Sequence, residues 1–395
     1  MRPFSAEVNA LLSACRLVVN GGCADEFRDM ASRVTNWDSV LAGAQRHAVV
    51  PLLLHALDHA GPLVAPCRIR DEAREQFERN ALRNLELASR LSDILCALDA
   101  AGVTAMPIKG PLLALSAYGD ITLREFLDLD LVVREGDRDR ALAVLRDVGY
   151  RDALPIGSGS RAALVAADYH LQLVHDAHGV VVELHWALGR GYFRGYLDSS
   201  WAWHNAHTIS VFGRPVHTLS PEALLVYLCV HGAKHVWSQL NWICDVAALL
   251  HSEPRIDGSH VFALARATGT WRMVRLGIAI AADLLSAEPP ANLPPRWDND
   301  AITVDLATRV RQLLCEPGTN SSAGDALSFH FGICDTRFDR LSLWAHLLIS
   351  PRVADVTAVS FPPKLRSLYY VLRPLRLLSK QSRTWVGRAE AKWRS

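Results

Sequence analysis

Two aspartates one residue apart, Asp128 and Asp130, open the apolar run Leu131-Val132-Val133. Strand side chains alternate sides, so both carboxylates point to one face. Two acids on one face repel each other. The arrangement is tolerated where water solvates them or where a cation sits between them. The first case is the outer face of an amphipathic strand; the second is a metal site. A third acid, Glu183, lies in Val180-Val181-Val182-Glu183-Leu184-His185-Trp186, on the strand face it shares with Val181 and His185. A carboxylate in so apolar a strand is costly to bury unless it meets a cation. The alternative is an outward, hydrated glutamate.

Cationic and aromatic groups accompany these acids. Lys109-Gly110 ends a β-like run from Val103 to Ile108, and a lysine there either holds an anion or caps an exposed turn. Arg124 precedes Asp128 by four residues and can pair with that acid or bind phosphate. Further on, His231 and His235 are spaced i, i+4 on a helical stretch that also carries Lys234. That is the spacing of a zinc pair, with Asp245 as a third ligand, although Gly232 stands where the usual glutamate would be. Trp237 and Trp242 either stack on a flat ligand or belong to the core.

Taken together, Lys109-Gly110, Tyr118, Arg124, Asp128, Asp130, Glu183-Leu184-His185-Trp186, the run from His231 to Trp237, Trp242 and Asp245 resemble a known pattern. It is that of a bacterial nucleotidyltransferase family of largely uncharacterised function, within the polymerase-β-like superfamily. The resemblance runs from about Leu95 to about Leu250, with Lys109-Gly110-Pro111 where the superfamily has Gly-Ser. It implies an α+β fold: a polymerase-β-like mixed sheet core between N-terminal and C-terminal helical domains. It implies Mg²⁺- (or Mn²⁺-) dependent transfer of a nucleoside monophosphate from an NTP to an acceptor. Small molecules, sugars, peptides or proteins and RNA ends all remain open as acceptors. The metal-holding and catalytic residues would be Asp128, Asp130 and Glu183, the last on an adjacent antiparallel strand. Lys109, Gly110, Arg124, Lys234 and His235 would bind the nucleotide. Two other readings stay open: a nucleotide-binding scaffold of the same fold without turnover, and a zinc hydrolase built on His231, His235 and Asp245.

The chain has 395 residues, enough for two or three domains, with 50% hydrophobic and 21% charged residues. No apolar run reaches the ~18 residues of a membrane span, and the start does not read as a signal peptide. The eight cysteines form no C-x-x-C pair, which fits buried thiols in a reducing cytoplasm better than a zinc ribbon. The formal charge is +1, but nine Lys/Arg and one acid from Lys364 to Ser395 give that tail about +8. An anionic partner for the tail is therefore expected, or docking on the acidic remainder.

The elements that must position these groups can be read in order. Ser5 caps a first helix over 5–19, and Asp38 a second over 40–49. Residues 71–100 form the longest helix, with Phe77, Ala81, Leu85, Ala88, Leu91, Leu95 and Leu98 on one face and Gly102 as its stop. Strands follow at 103–108 and 128–133, a helix at 137–148, a turn at Gly157–Ser160, and a hairpin of 169–175 with 180–186. Residues 208–212 and 215–217 make a small hairpin. Helices then cover 221–235, 242–250, 259–285, 301–315 and 338–349, with a loop at Glu316–Gly324. The expected division is 1–95 helical layer, 96–218 catalytic core, 219–345 helical domain and 346–395 basic tail.

Overall fold

The computed structural model describes residues 4–154, 157–189, 197–294, 300–315, 323–359 and 361–378. Four helices open the chain: α1 (Ala6–Val19), α2 (Ala24–Ser32), α3 (Trp37–Arg46) and α4 (Val50–Ala60). Ser5 caps α1 by accepting from the Val8 N–H at 3.3 Å. Asn36, not Asp38, caps α3, accepting from Ser39 at 3.1 Å. Asp38 lies inside the first turn, where Arg68 grips both its oxygens at 2.7 and 2.9 Å. Helix α5 (Cys67–Ala100) spans the length of the core. Its buried line departs from the simple apolar stripe: Leu85 is 55% exposed, while Asn80 and Asn84 are buried. The two amides hold the backbone oxygens of Ile121, Thr122 and Arg124 at 2.7–3.5 Å. They clamp the loop that delivers Arg124.

The core sheet comes next: β1 (Ala105–Pro107), α6 (Gly110–Tyr118), β2 (Asp128–Val133), α7 (Arg138–Asp147), β3 (Tyr150–Asp152), α8 (Ser158–Ala167), β4 (His170–His175) and β5 (Val181–His185). The five strands lie in the order β1-β2-β5-β4-β3. Helix α7 carries the chain from β2 to the far edge, and β3, β4 and β5 return as an antiparallel meander. Two reversals bring β5 back beside β2 running parallel to it. The strand expected to be antiparallel is therefore parallel, because the crossover helix and the meander decide its direction. Gly157–Ser160 is not a free turn but the start of α8. Leu129, Leu131, Val133, Val182 and Leu184 turn into an apolar core with α5 and α7, leaving the other sheet face to polar groups.

A hairpin of β6 (Ala206–Val211) and β7 (Arg214–Leu219) follows α9 (Ser199–His204), and β7 lies against β1. Then come α10 (Pro221–Lys234), α11 (Leu240–Ser252), α12 (Gly258–Ala267) and α13 (Trp271–Leu285). The stretch expected as one helix over 259–285 breaks at Gly269, whose φ is +60°, between two hydroxyls bonded at 2.8 Å, Thr268 and Thr270. Helix α1 packs against α11 and α13, and buried side chains of residues 1–95 and 219–345 fall in one apolar cluster. The remaining helices are α14 (Ala301–Cys315), α15 (Ala323–Gly332), α16 (Arg337–Ile349) and the short α17 (Val353–Val356). Most of the loop expected at Glu316–Gly324 lies outside the described residues. No helix among the described residues is long and apolar enough to cross a membrane.

The first part of the basic tail docks on the protein itself. A 3-10 turn (Pro363–Leu368) leads into helical backbone over 369–378. Tyr369 is fully buried, and its hydroxyl meets Ser160 at 2.9 Å, the Val359 carbonyl at 2.8 Å and the Phe361 N–H at 3.0 Å. Arg373 and Arg376 both reach the buried Asp355. Leu365, Leu368 and Leu375 of the same segment stay exposed. Lys380 to Ser395, with five of the nine basic residues, lie outside the described residues.

Candidate functional site

Register brings the acids together. Asp128 pairs with Val181, Asp130 with Glu183 and Val132 with His185, so Asp128, Asp130, Glu183 and His185 share one face of adjacent strands. Ligand atoms of Asp130, Glu183 and His185 lie within 4.8 Å of one another, an array that can hold a metal ion. Asp130 is buried between Lys109 and His185. Lys109 Nζ stands 3.0 Å from Oδ2, and His185 Nε2 lies 3.1 Å from Oδ1. Burial alone would raise the Asp130 carboxyl, but Lys109 and His185 hold it well below the usual range. The same pairing raises Lys109 and His185 against their burial. Asp128 makes no such ion pair among the described residues, and Lys109 and Arg124 act on it only from a distance. Burial and then the Asp130 charge push it up to about 6. Glu183, despite burial, is lowered by His185, whose Nε2 lies 3.5 Å from it. Gly110, at φ +55°, makes the sharp entry into α6 that leaves Lys109 facing the acids.

Across the cleft, α10 and α11 present a second set. Lys234 Nζ donates to the Tyr169 hydroxyl and lies 5.1 Å above the Tyr169 ring. His231 and His235 are 4.8 Å apart, ring to ring, with Trp242 5.7 and 5.0 Å from them. After α10 the chain passes through Val236 and Trp237 at φ +51° and +53°, a left-handed step that non-glycine residues rarely take. Trp237 is fully buried, so it belongs to the core, while Trp242 faces the cleft.

Arg124 does not pair with Asp128. Its Nε and a terminal nitrogen donate to the two oxygens of Asp245 at 2.7 and 2.9 Å, and the Tyr118 hydroxyl adds a third bond at 2.8 Å. The Asn80–Asn84 clamp on the loop backbone turns the guanidinium towards α11. Asp245 is thereby committed, and the His231, His235, Asp245 zinc set is not assembled among the described residues. Lys109, Gly110, Arg124, Asp128, Asp130, Glu183, Lys234 and His235 all line one cleft of about 520 Å³. His185 was legible from its shared face with Glu183 but not singled out. His170, whose ring stacks 5.1 Å from His185, could be placed only once β4 was paired with β5.

Residues 33–286 match the model of a family described as uncharacterised nucleotidyltransferase. The chain belongs to that family. Two solved structures are similar to this nucleotidyltransferase in part. The crystal structure of ANT(2'')-Ia in complex with adenylyl-2''-tobramycin is 18% identical, covers 46% of this chain and 95% of that one, and has a TM-score of 0.34. The crystal structure of an antigenic nucleotidyltransferase-like protein from Paracoccidioides brasiliensis is 16% identical, covering 52% of this chain and 94% of that one, with a TM-score of 0.34. No curated protein matches the chain.

Proposed function

We propose that this nucleotidyltransferase moves a nucleoside monophosphate from an NTP to an acceptor oxygen in the Asp128–Asp130–Glu183 cleft, with Mg²⁺ or Mn²⁺. The observation that carries the reading is the convergence of Asp128, Asp130 and Glu183 on one face of adjacent strands, lining one cleft. Burial and the Asp130 carboxylate disfavour the ionised form of Asp128, Lys109 and Arg124 offset this only in part, and a bound cation would favour it further. The donor set fits: Asp128, Asp130 and Glu183 offer the hard oxygens that Mg²⁺ and Mn²⁺ prefer. When bound, the ion supplies charge stabilisation for the α-phosphate and the leaving pyrophosphate.

The chain's own groups do the rest. His185 bonds Asp130 and Glu183 and fixes their orientation. Lys109 keeps Asp130 ionised and presents a cation to the phosphates, and Lys234, steadied on Tyr169, adds a second. The acceptor oxygen bonds to the α-phosphorus, the bond from that phosphorus to the bridging oxygen breaks, and pyrophosphate leaves with its electrons. The acceptor's proton goes to a carboxylate of the cluster. Small molecules, proteins and RNA ends remain the acceptor classes. One observation favours a second reading. Lys109 already neutralises Asp130 as an ion would, which suits a nucleotide-binding protein without turnover. Incubating the protein with α-labelled NTPs, Mg²⁺ or Mn²⁺ and a cell extract separates the two. Label moved to any species supports transfer; nucleotide binding without transfer supports the scaffold.

A further inference from the structure

We infer that the α10–α11 wall of the cleft is the site for the nucleobase of the donor, and that it takes a base whose exocyclic amine lies beside a ring-nitrogen acceptor on its pairing edge, adenine or cytosine. The inference rests on the nucleotidyl-transfer reading for its donor and adds where the base lies and what selects it.

Tyr227 and His231 stand at i and i+4 of α10 and His235 caps its C-terminal end, so the three rings follow one another along the cleft. Ring centroids are 6.1 Å apart from Tyr227 to His231 and 4.8 Å from His231 to His235. Trp242, from the first turn of α11, closes the row at 36° to the His235 ring and 87° to the His231 ring. The row begins beside the phosphate-binding cations, with Lys109 Nζ 5.9 Å above Tyr227. One end of the wall is thus cationic and the other is a set of rings. Burial lowers His231 well below its ordinary value and His235 to about 4, so both are uncharged at neutral pH. An uncharged imidazole offers a phosphate no counter-charge, but it offers a flat base a stacking face.

Asn241 supplies selectivity. It precedes Trp242, lines the same cleft, and is only 7% exposed. Its side-chain oxygen is buried with no hydrogen-bond partner among the described residues. An unpaired buried acceptor is costly, and an exocyclic amine would satisfy it. The amino edge of adenine, a donor beside a ring acceptor, is the edge that a carboxamide matches with two bonds, and cytosine presents the same donor–acceptor pair.

Calorimetry with Mg²⁺ salts of ATP, ITP, CTP, UTP and tripolyphosphate tests both parts, with melting curves on every variant. Trp242→Ala should raise the Kd for ATP or CTP about tenfold or more and leave tripolyphosphate within about twofold, while Trp242→Phe keeps most of the affinity. The wild type should prefer ATP to ITP, or CTP to UTP, by about tenfold, and Asn241→Ala should erase that preference. Equal losses for ATP and tripolyphosphate, no loss, or a wild type indifferent to the amine would overturn the inference. If α-label is still transferred in those cases, the donor reading stands and only the base site is wrong. If the wild type binds neither ATP, CTP nor tripolyphosphate, both fall together.

Discussion

Changing Asp245 to Ala would strip a buried guanidinium of both its acceptor oxygens. The Arg124 and Asp245 side chains are 7% and 2% exposed, and their two bonds are short, at 2.7 and 2.9 Å. Removing one partner leaves the other charge buried and unpaired, which costs about 3–5 kcal/mol. The Tyr118 hydroxyl loses its acceptor as well, adding about 1 kcal/mol. Against a total stability of about 5–15 kcal/mol, Asp245→Ala should be visibly less stable in urea titration. Arg124→Met should cost a similar amount, because it leaves the carboxylate behind. The double variant Arg124→Met/Asp245→Leu removes both charges and should lose far less than the two single losses combined. NTP binding by that double variant then decides what Arg124 does. If the pair is a strut between the loop and α11, a stable double variant binds NTP as the wild type does. Single losses under about 1 kcal/mol, or strictly additive ones, would refute the strut. So would a stable double variant with tenfold weaker NTP binding, which would place Arg124 on the nucleotide.

Asp128→Asn removes a charge that its surroundings disfavour, so thermal stability should hold or rise while label transfer falls about a thousandfold or more. Undiminished transfer contradicts the proposed mechanism, and a lower melting temperature contradicts the account of the unpaired charge. Burial, with Arg46 adding to it, lowers His47 from 6.5 to about 4, so as pH falls the unfolded chain takes up the proton first. That contribution, up to about 3 kcal/mol, is whole above 6.5, erodes below it and is gone below about 4. His47→Gln should flatten this share of the melting temperature's fall with pH, and an unchanged slope counts against it. Tyr369→Phe leaves the Phe361 N–H and the Val359 carbonyl without their Tyr369 partner, costing about 1–3 kcal/mol, and limited proteolysis should release the C-terminal segment sooner. Equal protease resistance would mean that the tail is held by other contacts.

Much of the fold was legible because periodicity is local. The cap at Ser5, the stop at Gly102, the hairpin at Gly179 and the strand at 128–133 each follow from a few neighbouring residues. What failed was non-local. The direction of β5 depends on how many reversals separate it from β2, and no window of residues contains that count. The short strand β3 and the helices α2, α15 and α17 are too brief to show a period. Thr268-Gly269-Thr270 breaks a run that remains apolar on both sides, so the hydrophobic pattern alone joined α12 to α13.

The site divides the same way. The shared face of Asp128 and Asp130, and that of Glu183 and His185, follow from the two-residue period whatever the strands pair with. Arg124 and Asp245 were both singled out, but not as partners of each other. They are 121 residues apart, and the buried amides of Asn80 and Asn84 hold the loop backbone that carries Arg124. The two tryptophans differ by packing rather than by type. A Cβ on Gly232 would fall 2.3 Å from the Trp237 ring, and one on Gly277 3.1 Å from it. These two glycines open the slot that takes Trp237 into the core and leaves Trp242 for the cleft. Gly232 stands where a zinc helix would carry its glutamate. Any side chain there would collide with Trp237, so the residue that argues against the zinc reading also holds the α10 turn in place, with Lys234 and His235 facing the acids.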